Sequence, residues 1–144
     1  MQEDLSRAQK LLEQGDYTCV LCKGSNVKFC TARGVRPLVE LLDSGDWSGY
    51  SAADKVVGKA TAFLYVLLGV QAVYTPVASV AAVRVFKQHN IQLQCNLIVP
   101  AIFNRNRTGF CPMETAVHEI EDPQAALHAI RATMVKLHQQ SKQS

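Results

Sequence analysis

Excess charge of either sign is nearly absent from this sequence. The formal net charge is only +3. No stretch interleaves basic residues with aromatics, the pattern typical of a nucleic-acid surface, so the sequence argues against nucleic acid as a partner. A hydrophobic content of 48% with 19% charged residues is ordinary for a globular protein and excludes general disorder.

A secretory segment and a membrane span are also missing. The N-terminal stretch MQEDLSRAQKLLEQ predicts an amphipathic helix over 3–14 and lacks the apolar centre of a signal peptide. Residues 60–83 carry no charge, but Gly69 and Pro76 divide them into pieces shorter than the roughly 20 residues of a membrane helix. We therefore expect no membrane partner.

The cysteines are odd in number, which argues against a complete disulfide framework. The five are Cys19, Cys22, Cys30, Cys95 and Cys111. Without a secretory signal they indicate reduced thiols and a cytoplasmic location. Cys19 and Cys22 form a CxxC, but YTCVLCKG predicts a strand, on which these two thiols would point to opposite faces. We interpret both as packing residues of a strand.

Motifs of the common catalytic and cofactor sites are absent as well. No Cys/His cluster has zinc spacing, and there is no serine elbow, phosphate loop or dinucleotide fingerprint. We therefore expect neither a metal nor a cofactor. Since no repeat or linker interrupts the chain, residues 1–144 should form one domain. Its parts would be an N-terminal helix over 1–15, a core over about 16–120 and a C-terminal helix over about 123–140.

The sequence does contain an alternation of short strand and helix patterns. Two β-rich runs before residue 35 predict a hairpin. A helix is predicted from Ser51 to Gly69, because Ser51 and Asp54 have the spacing of a capping box. Pro76 is expected to begin the next helix, and another strand follows. Such alternation implies parallel strands with crossover helices. The predicted fold class is α/β, a three-layer mixed sheet with helices on both faces.

Cys111 is the sharpest candidate for chemistry. It precedes Pro112, a residue type that commonly begins a helix, in the stretch NRNRTGFCPMET. A thiol at a helix N-terminus is stabilised as the thiolate and can act as a nucleophile. Glu114 would oppose the thiolate by its charge, or could itself transfer a proton. The alternative stays open that Cys111 is a small apolar residue and that Glu114 complements the helix dipole.

A second set of polar residues accompanies the predicted helix start at Ser51. Asp54 is a candidate for proton transfer. Lys55 and Lys59 are four positions apart, so on a helix they would share a face and could hold an anion. Gly58, inside the predicted helix, indicates close approach of a backbone or a ligand. The alternative is that Asp54 caps the helix and the lysines are solvated.

A third set lies in the loop before Cys111. Asn104 and Arg105 are candidate ligand-binding residues, because a guanidinium can grip a phosphate or carboxylate through two hydrogen bonds. Asparagine and glycine also form ordinary turns, so a purely structural loop is the alternative.

Two motifs together carry a resemblance to a known family. The stretch ADKVVGKATAFLYVLLGVQAVYT, followed later by NRNRTGFCPME, resembles a small prokaryotic domain-of-unknown-function family assigned to the cytidine-deaminase-like fold. The resemblance covers about Tyr17 to His118. It implies a deaminase-like core with a pocket for a nucleotide-like ligand. The residues that match the family's motifs are Asp54, Lys55, Asn104, Arg105, Cys111 and Glu114.

The resemblance does not extend to the zinc site of deaminases. Working deaminases place a His or Cys, with a catalytic Glu two residues on, at the helix after the hairpin, and Pro-Cys-x-x-Cys after the third strand. The stretches that correspond in the predicted topology, Ser51–Lys55 and Pro76–Val80, contain neither His nor Cys. Hydrolytic deamination by a zinc-activated water is therefore not expected.

These observations lead to one functional expectation and two alternatives. We expect a metal-free site for a nucleotide-like or other anionic small molecule, in which Lys55 and Arg105 hold the anion and Cys111 is the nucleophile or a close contact. The first alternative is a non-catalytic binding module with a structural Cys111. The second is a homo-oligomer formed through an exposed edge strand, such as the front hairpin.

Overall fold

In the described part of the chain, six helices and six strands form a mixed α/β structure. The computed structural model describes residues 2–103 and 111–143. The elements in chain order are α1 (Gln2–Gln14), β1 (Cys19–Lys23), β2 (Asn26–Cys30), α2 (Arg36–Ser44), β3 (Ser51–Asp54), β4 (Val56–Val57), α3 (Lys59–Leu68), β5 (Ala72–Ser79), α4 (Val80–Gln88), β6 (Gln92–Val99), α5 (Pro112–Val117) and α6 (Pro123–Gln143).

The sheet combines an antiparallel hairpin with parallel strands, as predicted. β1 pairs antiparallel with β2 on one side and with β3 on the other, whereas β3, β4 and β6 all run parallel to β5. β4 continues the register of β3 along the same edge of β5, since Ser51 pairs with Ala72 and Val57 with Ala78. β3 and β4 are therefore one strand with a short interruption at Lys55.

Helices cover both faces of the sheet. On one face α1 buries Leu5, Ala8 and Leu12 against side chains of β1, β3 and β5. On the other face α2 to α6 enclose the larger core, in which Phe63 and Tyr65 of α3 lie fully buried. Along β1, β3 and β5 the apolar residues alternate between these two cores. Cys19 accordingly lies in the larger core and Cys22 in the smaller one, which confirms that the CxxC is a strand segment.

The predicted helix start at Ser51 is wrong. Residues 51–54 form β3, and the helix begins only at Lys59, with Gly58 as its N-cap. The spacing of Ser51 and Asp54 resembled a capping box, but Ser51 is fully buried in a strand between β1 and β5. Pairing on both sides outweighed the local helix signal, as often happens for short apolar runs. The C-terminal end at Gly69 is confirmed, with φ of 79°.

Pro76 does not begin a helix either. β5 continues through Pro76 to Ser79, whose Oγ accepts a hydrogen bond from Ala82 N at 3.1 Å and so caps α4. Proline has no N–H to donate to a neighbouring strand. The pairing of β5 with both neighbours skips Pro76, and the break between β3 and β4 falls opposite this position. Pro76 thus marks the place where Asp54 and Lys55 interrupt the pairing with β5, while Asp54 stays paired with β1.

The uncharged stretch over residues 60–83 is divided among α3, β5 and the start of α4. Within residues 2–103 and 111–143, no helix has the length and apolar character needed to cross a bilayer.

Candidate functional site

A cavity of about 460 Å³ opens where β3 gives way to β4. We call it the Asp54 cavity. Its walls come from the start of β1, from the loop before α2 and the start of that helix, from the segment 54–61, and from the start of α5. Polar groups are contributed by Thr18, Cys19, Arg33, Asp54, Lys55, Thr61, Cys111 and Glu114. Four of the residues selected from the sequence, Asp54, Lys55, Cys111 and Glu114, therefore line one cavity.

Asp54 is the most strongly perturbed acid of this cavity. Burial raises the pKa of its carboxyl group to about 6, and hydrogen bonds from Tyr65 and from the backbone of Val56 and Lys55 offset part of the effect. Tyr65 Oη donates to Asp54 Oδ2 at 2.6 Å. Burial also raises the pKa of Tyr65 well above its usual value, so that side chain stays a donor. Asp54 can therefore change its protonation state near neutral pH, as a general acid or base must.

Cys111 lies at the N-terminus of α5, as predicted. It is the N-cap residue, but its side chain makes no capping hydrogen bond. The backbone fixes its position, because Cys111 N donates to Ile102 O at 3.1 Å and Cys111 O accepts from Thr115 N at 3.1 Å. The thiol is half-buried, packs against the larger core and lines the Asp54 cavity. Its position thus permits contact with a bound molecule.

Glu114 performs a task that the sequence did not reveal. Its Oε1 accepts a hydrogen bond from Lys59 N at 2.7 Å, and its Oε2 accepts one from Ala60 N at 2.9 Å. These two N–H groups belong to the first turn of α3 and have no partner within the helix. The side chain on α5 thereby caps α3, and its charge lies at the positive end of that helix. Both oxygens are already engaged, which leaves Glu114 less available for proton transfer than Asp54.

Gly58 is required by this cap. A Cβ at this position would collide with the carboxylate of Glu114. The backbone itself, with φ of −98° and ψ of −174°, is acceptable for any residue. A close approach to Gly58 was inferred from the sequence, but Gly58 is the N-cap rather than an interior residue of the helix, and the approaching group is the Glu114 side chain rather than a backbone or a ligand.

We predict that Gly58→Ala destabilises the fold by about 1–3 kcal/mol, because the carboxylate must move away from the two N–H groups it caps. Denaturant unfolding would measure the loss. In a Glu114→Ala background the same substitution should cost less, since the colliding group is gone. Equal costs in the two backgrounds would contradict this interpretation.

The two candidate lysines are separated by the structure. Lys55 is exposed at the rim of the Asp54 cavity. Lys59 is only 7% exposed, and its Nζ donates to His118 O at 2.9 Å and lies 3.4 Å from Glu121 Oε1. Lys59 lines a different, larger cavity of about 860 Å³ beside the start of α4. The predicted shared face of the two lysines is wrong, because they do not lie on one helix.

Asn104 and Arg105 lie outside the described residues, so their predicted contact with a ligand stays a prediction. Three residues near the cavity were missed from the sequence: Arg33, Tyr65 and Cys19. Arg33 precedes α2 without any motif, and Tyr65 reads as one more apolar residue of α3. Cys19 could have been connected to Asp54 only through the strand register. Across residues 2–103 and 111–143, no three His, Cys, Asp or Glu side chains are grouped so as to hold a metal ion.

These features define a small α/β protein with a solvent-accessible cavity, lined by apolar and polar groups, beside the parallel part of a mixed sheet. The chain belongs to the family described as "Domain of unknown function (DUF1893)", whose model matches residues 7–134. This confirms the prediction of a family of unknown function and extends the match beyond the two motifs that suggested it.

A solved structure has the same fold. The crystal structure of a DUF1893 family protein from Thermotoga maritima is similar to this chain with a TM-score of 0.83 and 24% sequence identity. The match covers 94% of this chain and 91% of the other chain. At this level of identity the likeness establishes the fold alone. No curated protein matches the chain.

Proposed function

We propose that the Asp54 cavity binds a small nucleotide-like or other anionic molecule without the help of a metal, in a protein of the cytoplasm. The observation that carries the proposal is that Asp54 and Lys55, chosen from one sequence signal, and Cys111, chosen from another, line one cavity. Its volume of about 460 Å³ suits a nucleoside-sized molecule.

A cytidine-deaminase-like architecture supports a nucleotide-like ligand. A hairpin followed by parallel strands, with helices on both faces, agrees with that proposal. With the true element bounds, the helix after the hairpin is α2 and the helix after the third strand is α3. The positions compared with the deaminase zinc ligands therefore shift from Ser51 and Pro76 to about Val35 and Gly58. Neither His nor Cys is found at these helix starts, so the zinc chemistry of deaminases is still not proposed.

The lining divides into an apolar wall and a charged rim. The apolar wall suits a ring such as a nucleobase. It consists of Val35, Pro37, Leu38, Ile102 and Met113. Lys55 and Arg33 are exposed at the rim and suit an anionic group. An anion is not expected at the N-terminus of α3, because Glu114 already occupies it. Arg105 is proposed to add to the rim on the strength of the sequence.

In the catalytic form of this proposal, Cys111 attacks the bound molecule and Asp54 transfers a proton, with its pKa of about 6 close to the working pH. In the alternative form the protein is a non-catalytic module that binds a ligand or a partner, and Cys111 is structural. The exposed position of Lys55 favours its contact with an anionic ligand in both forms of the proposal.

A thermal-shift screen of nucleosides, nucleotides and sugar phosphates tests the proposal. A ligand present at a hundred times its Kd should stabilise the protein by about 2.7 kcal/mol. Lys55→Ala should weaken binding of an anionic hit about tenfold, whereas Lys87→Ala, an exposed lysine on α4 outside both cavities, should not. A hit that responds equally to both substitutions would show binding elsewhere, and the absence of any hit would contradict the proposed ligand class.

Alkylation of Cys111 separates the two forms of the proposal. Iodoacetamide labelling, followed by peptide mass spectrometry, gives the rate at Cys111 as a function of pH. An activated nucleophile should react with an apparent pKa at least about one unit below 8.5, and a bound hit should protect it. An apparent pKa near that of a plain thiol would favour the non-catalytic form.

A further inference from the structure

A row of three reactive groups crosses the sheet beneath the Asp54 cavity. Asp54 of β3 pairs with Cys19 of β1, and Cys19 pairs on its other side with Cys30 of β2. Directly opposed residues of neighbouring strands share a face. The three side chains therefore lie side by side on the face that carries the larger core, where Tyr65 of α3 covers the row.

The strand register brings the two thiols close enough to bond. Opposed residues of an antiparallel pair have Cα atoms about 4.5–5.5 Å apart, and a disulfide requires roughly 4.4–6.8 Å. Both side chains also belong to the larger core, so they lie on the same face of the sheet. The other cysteines lack such a partner in the pairing of the described strands, since Cys22 opposes Val27 and Cys95 opposes Thr75.

The surroundings assign different roles to the two sulfurs. The hydrogen bond from Cys19 lowers the pKa of Cys30, and the charge of Lys28 acts in the same direction against the opposing effect of burial. The hydrogen bond to Cys30, burial and the charge of Asp54 raise the pKa of Cys19. Cys30 is thus the thiol more easily deprotonated, and Cys19 keeps its proton. Cys30 also ends β2, a strand at the edge of the sheet whose other residues are exposed.

We propose that Cys19 and Cys30 form a reversible dithiol–disulfide site that is oxidised by hydroperoxides. The Cys30 thiolate attacks the terminal oxygen of the hydroperoxide, the O–O bond breaks, and an alcohol or water leaves with one proton while Cys30 becomes a sulfenic acid. The Cys19 sulfur then attacks the Cys30 sulfur, and water leaves as the S–S bond forms. A thiol reductant reverses the step by exchange, as a reducing cytoplasm would. This inference does not rest on the ligand proposed for the cavity.

Mass spectrometry of the folded protein after treatment with stoichiometric hydrogen peroxide tests the proposal. The expected first product is a loss of about 2 Da, located in a peptide that links Cys19 to Cys30 and reversed by dithiothreitol. Trivalent phenylarsine oxide, which binds pairs of neighbouring thiols, should bind in one equivalent and block this product. A first disulfide that contains Cys95 or Cys111, or an oxidised protein in which Cys19 and Cys30 stay as free thiols, would overturn the proposal.

Two variants assign the steps. Cys19→Ser should abolish the intramolecular disulfide and leave a sulfenic acid on Cys30 that dimedone traps. Cys22→Ser is the matched control, because Cys22 lies buried on the same strand but faces α1. It should leave the disulfide unchanged. If Cys19→Ser does not fold, two measurements on the unmodified chain still test the proposal. These are the detection of the peptide that links Cys19 to Cys30 and the number of phenylarsine oxide equivalents bound.

Discussion

Replacement of Glu114 by alanine should lower the free energy of unfolding by about 2–4 kcal/mol. Two backbone N–H groups at the start of α3 would lose their acceptor. Because these groups are partly buried, water replaces the lost acceptor only incompletely. The loss exceeds that of an ordinary helix cap, because the acceptor is charged and connects α5 to α3. Urea or guanidinium unfolding at neutral pH would measure it.

Two further variants calibrate this prediction. Glu114→Gln keeps one carbonyl oxygen and removes the charge, so its loss should be intermediate. Glu119→Ala removes an exposed carboxylate just beyond the end of α5 and should change stability by no more than about 0.5 kcal/mol. Equal effects of Glu114→Ala and Glu119→Ala would show that the cap adds nothing to stability.

Asp54→Asn should make the protein more stable at pH 8 by about 1–3 kcal/mol and leave it nearly unchanged at pH 4. Burial raises the pKa of Asp54 from 3.8 to about 6. Between these values the folded state binds more protons than the unfolded state, so the stability falls as the pH rises from about 4 to 6 and stays lower above that range. The neutral amide avoids this loss and can still form a hydrogen bond with Tyr65.

Unfolding measured at several pH values checks both the sign and the size of the stability difference between Asp54→Asn and the unmodified chain. The difference between Asp54→Asn and the unmodified chain should grow between pH 4 and 6 and then level off. Asp16→Asn, at an exposed aspartate before β1, should show no such growth. Parallel pH curves for Asp54→Asn and the unmodified chain would mean that the carboxyl group of Asp54 is not perturbed. A carboxylate retained at this cost is consistent with a functional role.

Short-range patterns in the sequence were sufficient for much of the fold. The front hairpin, α1 and the start of α5 at Pro112 follow from local periodicity and turn residues, and all are present. Asn90, two residues beyond the end of α4, has φ of 59°, a left-handed conformation that asparagine tolerates. The failures at Ser51 and Pro76 share one cause. Both residues lie in or beside the central strands, where pairing with two neighbours decides the conformation and local signals mislead.

The sequence by itself determined the candidate residues of the site through their types and local motifs. Cys111, Asp54 and Lys55 were selected by their types and by motifs, and they do line one cavity. It could not determine what each side chain contacts. Glu114 was a candidate for proton transfer, with the dipole of its own helix as the alternative, yet it caps a helix whose first residue lies 55 positions earlier in the chain.

Only the tertiary structure decided the remaining features of the site. It buried Lys59 beside a different cavity, placed Tyr65 on Asp54, and aligned Cys19 between Asp54 and Cys30. Each of these contacts depends on the strand register or on helix packing, which are properties of several segments together. Local sequence predicts the conformation of many segments outside the central strands, whereas the neighbours of a side chain are set by which distant segments bury their apolar faces against it.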